Sequence, residues 1–297
     1  MITRRTFITY CKTGLVGTVF TRLLYPEIAR AFESTSKDKP PVIWIQGAAC
    51  SGCSVSLLNA VEPPLFDVLT KIISLKYHPV LMTAAADSAR FIIEEVLEKQ
   101  SGNYILIVEG SIPTEHNGIY CSIGESNGNP VTVLEYVQKA AANASSVIAV
   151  GTCASYGGIT AGKTNLIAAK SVFAVIQKKV INVPGCPPHP DWIIGTLSHL
   201  LLYGPPELDT SGRPLLFYGK NIHENCPNLQ FAENNEFAEQ FGENKCIGML
   251  GCKGPNTSSD CPTRLWNNKR NWCVGARGIC IGCVEPGFPE DMSPFFS

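Results

Sequence analysis

The chain has 297 residues, 45% of them hydrophobic and 16% charged, with a formal net charge of −1. So much apolar content with so little charge excludes a disordered chain, and a charge near zero excludes the basic surface of a nucleic-acid binder. Cysteine is the outlier, with 13 in the chain, and it admits a disulfide framework, zinc modules or iron–sulfur ligation.

The N-terminus reads Thr3-Arg4-Arg5-Thr6-Phe7-Ile8, followed by a mildly apolar stretch over residues 14–20 and a small-x-small triplet, Ala29-Arg30-Ala31. Twin arginines before a weakly hydrophobic region match a bacterial Tat-type export signal. A membrane anchor needs about 20 consecutive apolar residues, whereas Lys12 and Arg22 bracket only nine, interrupted by Gly and Thr. Residues 1–31 are therefore expected to be an export address and the mature protein periplasmic. Tat carries folded proteins, which suits cofactors inserted beforehand and raises metal clusters over disulfides. Losing residues 1–31 removes five basic side chains and one acid, which takes the net charge from −1 to −5. An acidic mature chain favours basic partners.

Between residues 40 and 203, short apolar runs alternate with helical stretches. Val42-Ile43-Trp44-Ile45, Tyr104-Ile105-Leu106-Ile107-Val108, Val147-Ile148-Ala149-Val150 and Val180-Ile181-Asn182-Val183 are continuous rather than alternating. Strands buried on both faces of a parallel sheet have that pattern. Leu65, Val68, Leu69, Ile72 and Ile73 fall on one helical stripe, and residues 131–144 and 165–179 also read as helices. The alternation predicts an α/β, doubly wound parallel sheet. Three of the four strand candidates run through Gly into cysteine: Gly47 to Cys50, Gly151 to Cys153, Gly185 to Cys186. Ligands of open α/β sheets collect at the carboxyl ends of the strands, so these loops are expected to meet at one rim.

Residues 204–297 have few apolar runs, much Gly, Pro and Asn, and more than half of the cysteines. Such a segment is expected to be held by its metals. Three ligand groups emerge along the chain. The first is Cys50, Cys53, Cys153 and Cys186. The second is His223, Cys226, Cys246 and Cys252; a neutral imidazole leaves a cluster less negative and raises its potential. The third is Cys261, Cys273, Cys280 and Cys283, bracketed by Pro262 and Pro286. Setting aside Cys11 in the leader and Cys121 in a predicted loop, eleven cysteines and one histidine make three sets of four.

The motifs Trp44-Ile45-Gln46-Gly47, Cys50-Ser51-Gly52-Cys53, Val108-Glu109-Gly110, Gly151-Thr152-Cys153 and Pro184-Gly185-Cys186-Pro187-Pro188-His189-Pro190 carry a resemblance. So do His223-Glu224-Asn225-Cys226, Gly251-Cys252-Lys253-Gly254-Pro255 and Cys280-Ile281-Gly282-Cys283-Val284-Glu285-Pro286. Together they resemble the small subunit of periplasmic nickel–iron hydrogenases, and most of all the nickel–iron–selenium branch. The resemblance implies a flavodoxin-like domain with a proximal cluster on Cys50, Cys53, Cys153 and Cys186, and an irregular C-terminal iron–sulfur domain. That second domain would hold a distal cluster on His223, Cys226, Cys246 and Cys252 and a medial cluster on Cys261, Cys273, Cys280 and Cys283.

It further implies a hydrogenase, a hydrogen:acceptor oxidoreductase, whose nickel–iron centre lies in a large-subunit partner. This chain would supply the electron path and no catalytic residue. Many relatives carry Pro at the medial site and a three-iron cluster; Cys273 supplies a fourth thiolate, so three [4Fe–4S] clusters are expected. Oxygen-tolerant relatives add cysteines at positions that look like Gly52 and Gly158, and their absence implies an ordinary proximal cluster. Membrane-bound relatives often add a hydrophobic helix after the cluster region; this chain stops at Phe295-Phe296-Ser297, so no transmembrane helix is expected in the mature chain. The acceptor implied is a soluble multihaem cytochrome. Against this stand a free-standing ferredoxin-like carrier, a respiratory-complex subunit with a related proximal domain, and a zinc-stabilised binding module. Residues 223–283 weigh against the second.

Overall fold

The computed structural model describes residues 3–5, 8–9 and 39–292. The leader's apolar stretch, its Ala29-Arg30-Ala31 triplet and Cys11 lie outside the described residues. In chain order come β1 (Pro41–Gln46), α1 (Gly52–Leu58), α2 (Leu65–Asp67), which runs into a π-helical turn (Val68–Ile72), β2 (Ser74–Tyr77), α3 (Ala86–Lys99) and β3 (Ile105–Glu109). A hairpin of β4 (Ser122–Ser126) and β5 (Asn129–Thr132) precedes α4 (Val133–Ala142), β6 (Ser146–Val150), α5 (Thr152–Tyr156), α6 (Val172–Ile176), β7 (Ile181–Val183) and α7 (Pro190–Tyr203). Beyond these, the described residues hold only short pieces: α8 (Leu215–Tyr218), α9 (Leu229–Glu233), α10 (Cys261–Arg264) and several 3₁₀ turns.

β2, β1, β3, β6 and β7 form one sheet in that order, and every pairing in it is parallel. That is the 2-1-3-4-5 order of a flavodoxin-like doubly wound fold. Successive strand residues point to opposite faces, and the apolar runs fill two cores. Val42, Trp44, Ile105, Ile107, Ile148 and Val150 meet α7 through Trp192, Ile193 and Leu197 on one face. Ile43, Ile45, Leu106, Val108, Val147 and Ala149 meet α3 and α4 through Ala89, Ile93, Tyr136 and Val137 on the other. All four apolar runs are strands, as their composition predicts.

The helix predicted over residues 165–179 is cut to α6. Asn165 bonds both the N–H and the C=O of Ala169 through its side chain, which offers the backbone a turn in place of a helix. Ala168 is left-handed with φ 45°, and α6 starts only where Ser171 accepts from Ala174 N–H. The helix read from residue 131 begins at Val133, because residues 129–132 pair as β5 and Thr132 caps the first turn. Leu65 to Ile72 coil as predicted, with a π turn in the second half. β2, α3 and the hairpin had no sequence expectation.

The C-terminal region packs a third core of Ile222, Ala238, Ile247, Trp272, Val274 and Ile279, with half-buried cysteines along its edge. Phe217 and Tyr218 of α8 still belong to the α7 side of the sheet. Two buried guanidiniums fasten this region to the sheet. Arg264 pairs with Asp260 at 2.6 Å and Asp191 at 2.9 Å, and lies over the Phe217 ring. Arg213 pairs with Asp209 at 2.7 Å and Glu285 at 2.9 Å and donates to the Val284 carbonyl. Removing one partner from a buried pair strands the other charge, at about 3–5 kcal/mol. Arg264→Met is expected to cost about that much, read as a lowered thermal midpoint; an unchanged midpoint would mean that the clamp bears no load.

Candidate metal centres

Cys50, Cys53, Cys153 and Cys186 reach one rim from three places. Cys50 lies between β1 and α1 and Cys53 in the first turn of α1, Cys153 lies in the first turn of α5 just after β6, and Cys186 follows β7. Their thiols are near enough to act on one another. Burial pushes the Cys53 thiol well up, the Glu109 carboxylate adds to that, and Cys153, Cys50 and Cys186 add further. Burial takes Cys186 up to about 11, with Cys153 and Cys50 contributing. A chain free of metal thus keeps Cys53 and Cys186 protonated at neutral pH, and binding must expel those protons.

Backbone makes the room. A Cβ on Gly151, whose φ is +89°, would stand 2.4 Å from the Cys53 sulfur. One on Gly158, with φ +54°, would stand 2.9 Å from the Cys153 sulfur, and one on Gly52 would stand 3.1 Å from that of Cys50. Gly52 and Gly158 therefore both adjoin this set. Glu109, fully buried at the end of β3, accepts from Cys53 N–H at 3.1 Å, Ser54 N–H at 3.2 Å and Trp44 Nε1–H at 3.1 Å, and from the Ser54 hydroxyl. Its carboxylate meets the first amides of α1, where a helix favours negative charge. His78 stands 3.4 Å from Ser54 Oγ, and burial holds it down at about 4, so it is neutral at pH 7.

Cys261, Cys273, Cys280 and Cys283 also gather. Burial raises Cys283 well above its ordinary value, with Cys261, Cys280 and Cys273 adding to it. Burial brings Cys261 to about 12 and Cys280 to about 11, with Cys273 contributing at both. Cys273 is exposed where Cys280 is buried. His223, Cys226, Cys246 and Cys252 line a single cavity of ≈ 30 Å³, walled by Ile222, Ile247 and Val274. Three thiols and an imidazole around a small apolar chamber are a donor set that suits a structural zinc or an iron–sulfur cluster. Among the described residues no three such donors stand close enough to share one ion; a body of several irons needs its thiolates further apart than a single ion does. Cys121 is half-buried at the edge of the α3–α4 core, away from all three sets.

Sequence reading left Glu109 and Thr152 as motif letters without a role. The signal for Glu109 was a carboxylate closing an otherwise apolar strand; Thr152 carried none beyond its place beside Cys153.

The family described as NADH ubiquinone oxidoreductase, 20 Kd subunit matches residues 50–200, and the family described as the C-terminal part of the NiFe/NiFeSe hydrogenase small subunit matches residues 218–296. The chain is 47% identical to the periplasmic [NiFeSe] hydrogenase small subunit of Desulfomicrobium baculatum, over 99% of this chain and 98% of the relative. It is 39% identical to the periplasmic [NiFe] hydrogenase small subunit of Solidesulfovibrio fructosivorans, over 99% and 93%. The solved H2-activated [NiFeSe]-hydrogenase of Dm. baculatum superposes with a TM-score of 0.82 at 49% identity, over 87% of this chain and 99% of that one. The oxidised [NiFeSe] hydrogenase of Desulfovibrio vulgaris Hildenborough superposes with a TM-score of 0.82 at 42% identity, over 88% and 99%.

Gly151→Ala is expected to drive a methyl into the Cys53 sulfur and abolish the first site alone. Iron analysis of the purified protein would then show a loss of about four irons per chain, and an unchanged iron content would contradict the geometry.

Proposed function

This chain belongs to the nickel–iron hydrogenase small-subunit family, and we propose that it conducts electrons through three [4Fe–4S] clusters. The path would run from the large-subunit active site to an external carrier. Proximal ligands would be Cys50, Cys53, Cys153 and Cys186; medial ligands Cys261, Cys273, Cys280 and Cys283; distal ligands His223, Cys226, Cys246 and Cys252. The observation that supports this most is the single cavity lined by all four distal residues: among the described residues no three such donors stand close enough to share one ion, which suits a body of several irons better than the single ion of a Cys3His zinc site.

A bound cluster supplies a one-electron change of charge; the chain's own residues hold, orient and shield it. Ile222, Ile247 and Val274 keep water from the distal site. Glu109 orders the α1 amides and so fixes the loop that bears Cys50 and Cys53. Polar groups around ligands tune them as much as the ligands do. We read residues 1–31 as a Tat leader that takes the folded protein to the periplasm, residues 40–203 as the proximal-cluster domain, and residues 204–297 as the medial and distal domain.

The large subunit is placed against the proximal rim. Cys50 and Cys186 are exposed there, beside a groove of ≈ 760 Å³ lined by Val55, Val61, Pro187, His189 and Trp266 among others. Leu58 and Phe66 add exposed apolar surface, Phe66 at 71%. The carrier is placed at the far end. Residues 221–244 hold five glutamates and no lysine or arginine, and this stretch bonds directly to a distal ligand. Cys246 N–H donates to the Glu236 carbonyl, and Ala238 N–H donates to that of Cys246. Such an acidic face suits a basic multihaem cytochrome. Among the described residues no helix is long and apolar enough to cross a membrane.

Native pull-down is expected to bring down a large subunit with hydrogen-uptake activity and about twelve irons per small chain. A soluble, iron-loaded monomer without uptake would favour a free-standing carrier instead. The oxidised wild type is expected to lack a three-iron EPR signal, and Cys273→Pro to gain one; a three-iron signal in the wild type would remove Cys273 from the ligand set. Replacing Glu233, Glu236 and Glu239 together by Gln should slow reduction of a basic cytochrome at low salt. That difference should shrink near 0.1 M salt, where screening acts over about 10 Å. Equal rates at both ionic strengths would move the docking site elsewhere.

A further inference from the structure

Two buried threonines have no part in any ligand set, yet each touches two of them. Thr152 is 1% exposed and sits between Gly151 and Cys153. Its hydroxyl accepts from Gly185 N–H at 2.9 Å and donates to the carbonyl of Cys283, 131 residues away. Its own N–H donates to the Gly185 carbonyl at 3.0 Å. One side chain therefore binds the two proximal loops to each other and both to a medial residue.

Thr257, also 1% exposed, occupies the corresponding place between the medial and distal sets. Its hydroxyl donates to the Lys253 carbonyl at 2.7 Å, beside distal Cys252, and lies 3.6 Å from the sulfur of medial Cys280. Its carbonyl accepts from Ile222 N–H at 2.8 Å, beside distal His223. The backbone doubles the link, because Cys280 N–H donates to the Cys252 sulfur at 3.4 Å and Lys253 N–H donates to the Cys280 carbonyl at 2.7 Å. The Thr257 hydroxyl bonds one turn back, as that of Thr70 does on Phe66 O, so its side-chain link to the medial set is the Cys280 sulfur. Thr152 instead reaches a residue of the neighbouring set.

We propose that Thr152 and Thr257 are positioning residues of the electron path, each holding a ligand loop of one cluster against a ligand of the next. Thr152 makes the proximal–medial junction and Thr257 the medial–distal one, which rests on the three-cluster assignment above. In each transfer one cluster loses an electron and its neighbour gains it, while neither hydroxyl gains or loses a proton. The threonines act by keeping the intervening contact closed, since transfer between two centres weakens steeply as the gap opens.

The test compares Thr152→Val and Thr257→Val with Thr152→Ser and Thr257→Ser in the assembled heterodimer. Two rates are taken from each preparation: hydrogen uptake with cytochrome as acceptor, and H2/D2O isotope exchange, which turns over at the large subunit without the path. The ratio of uptake to exchange should fall about tenfold in each valine variant, in line with the cost of small misplacements at reacting centres, and should recover in the serine variants. Rapid-freeze EPR after hydrogen addition should show electrons held at the proximal cluster in Thr152→Val and at the medial cluster in Thr257→Val. A merely structural role would lower the thermal midpoint without moving the ratio. An unmoved ratio in both valine variants, or serine variants as slow as valine, overturns the proposal. Should a valine variant fail to assemble, Thr→Ala at that position carries the same expectation. Iron content separates the two levels of inference: a wild type short of three clusters overturns the assignment, while full iron with an unmoved ratio overturns the threonine role alone.

Discussion

Parallel strands that start together must end together, and the placement of the proximal thiols depends on that constraint. β1, β3, β6 and β7 run side by side in register, so the residues that follow them arrive at one edge however far apart they lie in sequence. Cys50 and Cys186 are separated by most of the domain yet share a rim. The sheet can impose this because these four strands are buried on both faces, with the two cores leaving no freedom of register. A slip of one residue would exchange the faces of a whole strand. It would also carry the cysteine loop away from its neighbours.

The C-terminal region works by the opposite logic. It has few regular elements, and its core is a handful of side chains around cysteines. Its position relative to the sheet depends on Arg264, Arg213 and the Trp192–Asp260 bond. Those contacts lie beside Cys261 and Cys283, so the clamps that join the two regions also locate the four cysteines proposed as medial ligands. Metal binding would then complete a fold that polar contacts have already oriented, as in other small metallo-domains. The raised thiols belong to the same economy: protons occupy the sulfurs until iron displaces them.

Much of this was legible in the sequence, for physical reasons that differ from place to place. The four apolar runs could be read as buried strands because short, β-branched rows such as Ile105-Leu106-Ile107-Val108, closed by Gly, suit a strand covered on both faces better than a helix. The cysteine loops could be read because Gly and Cys followed those runs. Residues 165–179 misled, since a string of Ala and Val hides the two bonds by which Asn165 ties up Ala169. β2 escaped notice as a short, half-buried edge strand. Glu109 could be seen but not interpreted, because its partners lie 55, 56 and 65 residues away. The threonines were illegible for the same reason: their meaning lies in contacts between distant loops.

The central claim is that twelve named residues hold three iron clusters in a row. Anomalous X-ray scattering at the iron edge, on crystals of the heterodimer, tests it most directly. Three separate iron sites are predicted: one among Cys50, Cys53, Cys153 and Cys186, one among Cys261, Cys273, Cys280 and Cys283, and one among His223, Cys226, Cys246 and Cys252. Fewer sites in this chain, or iron bound away from those residues, would contradict it.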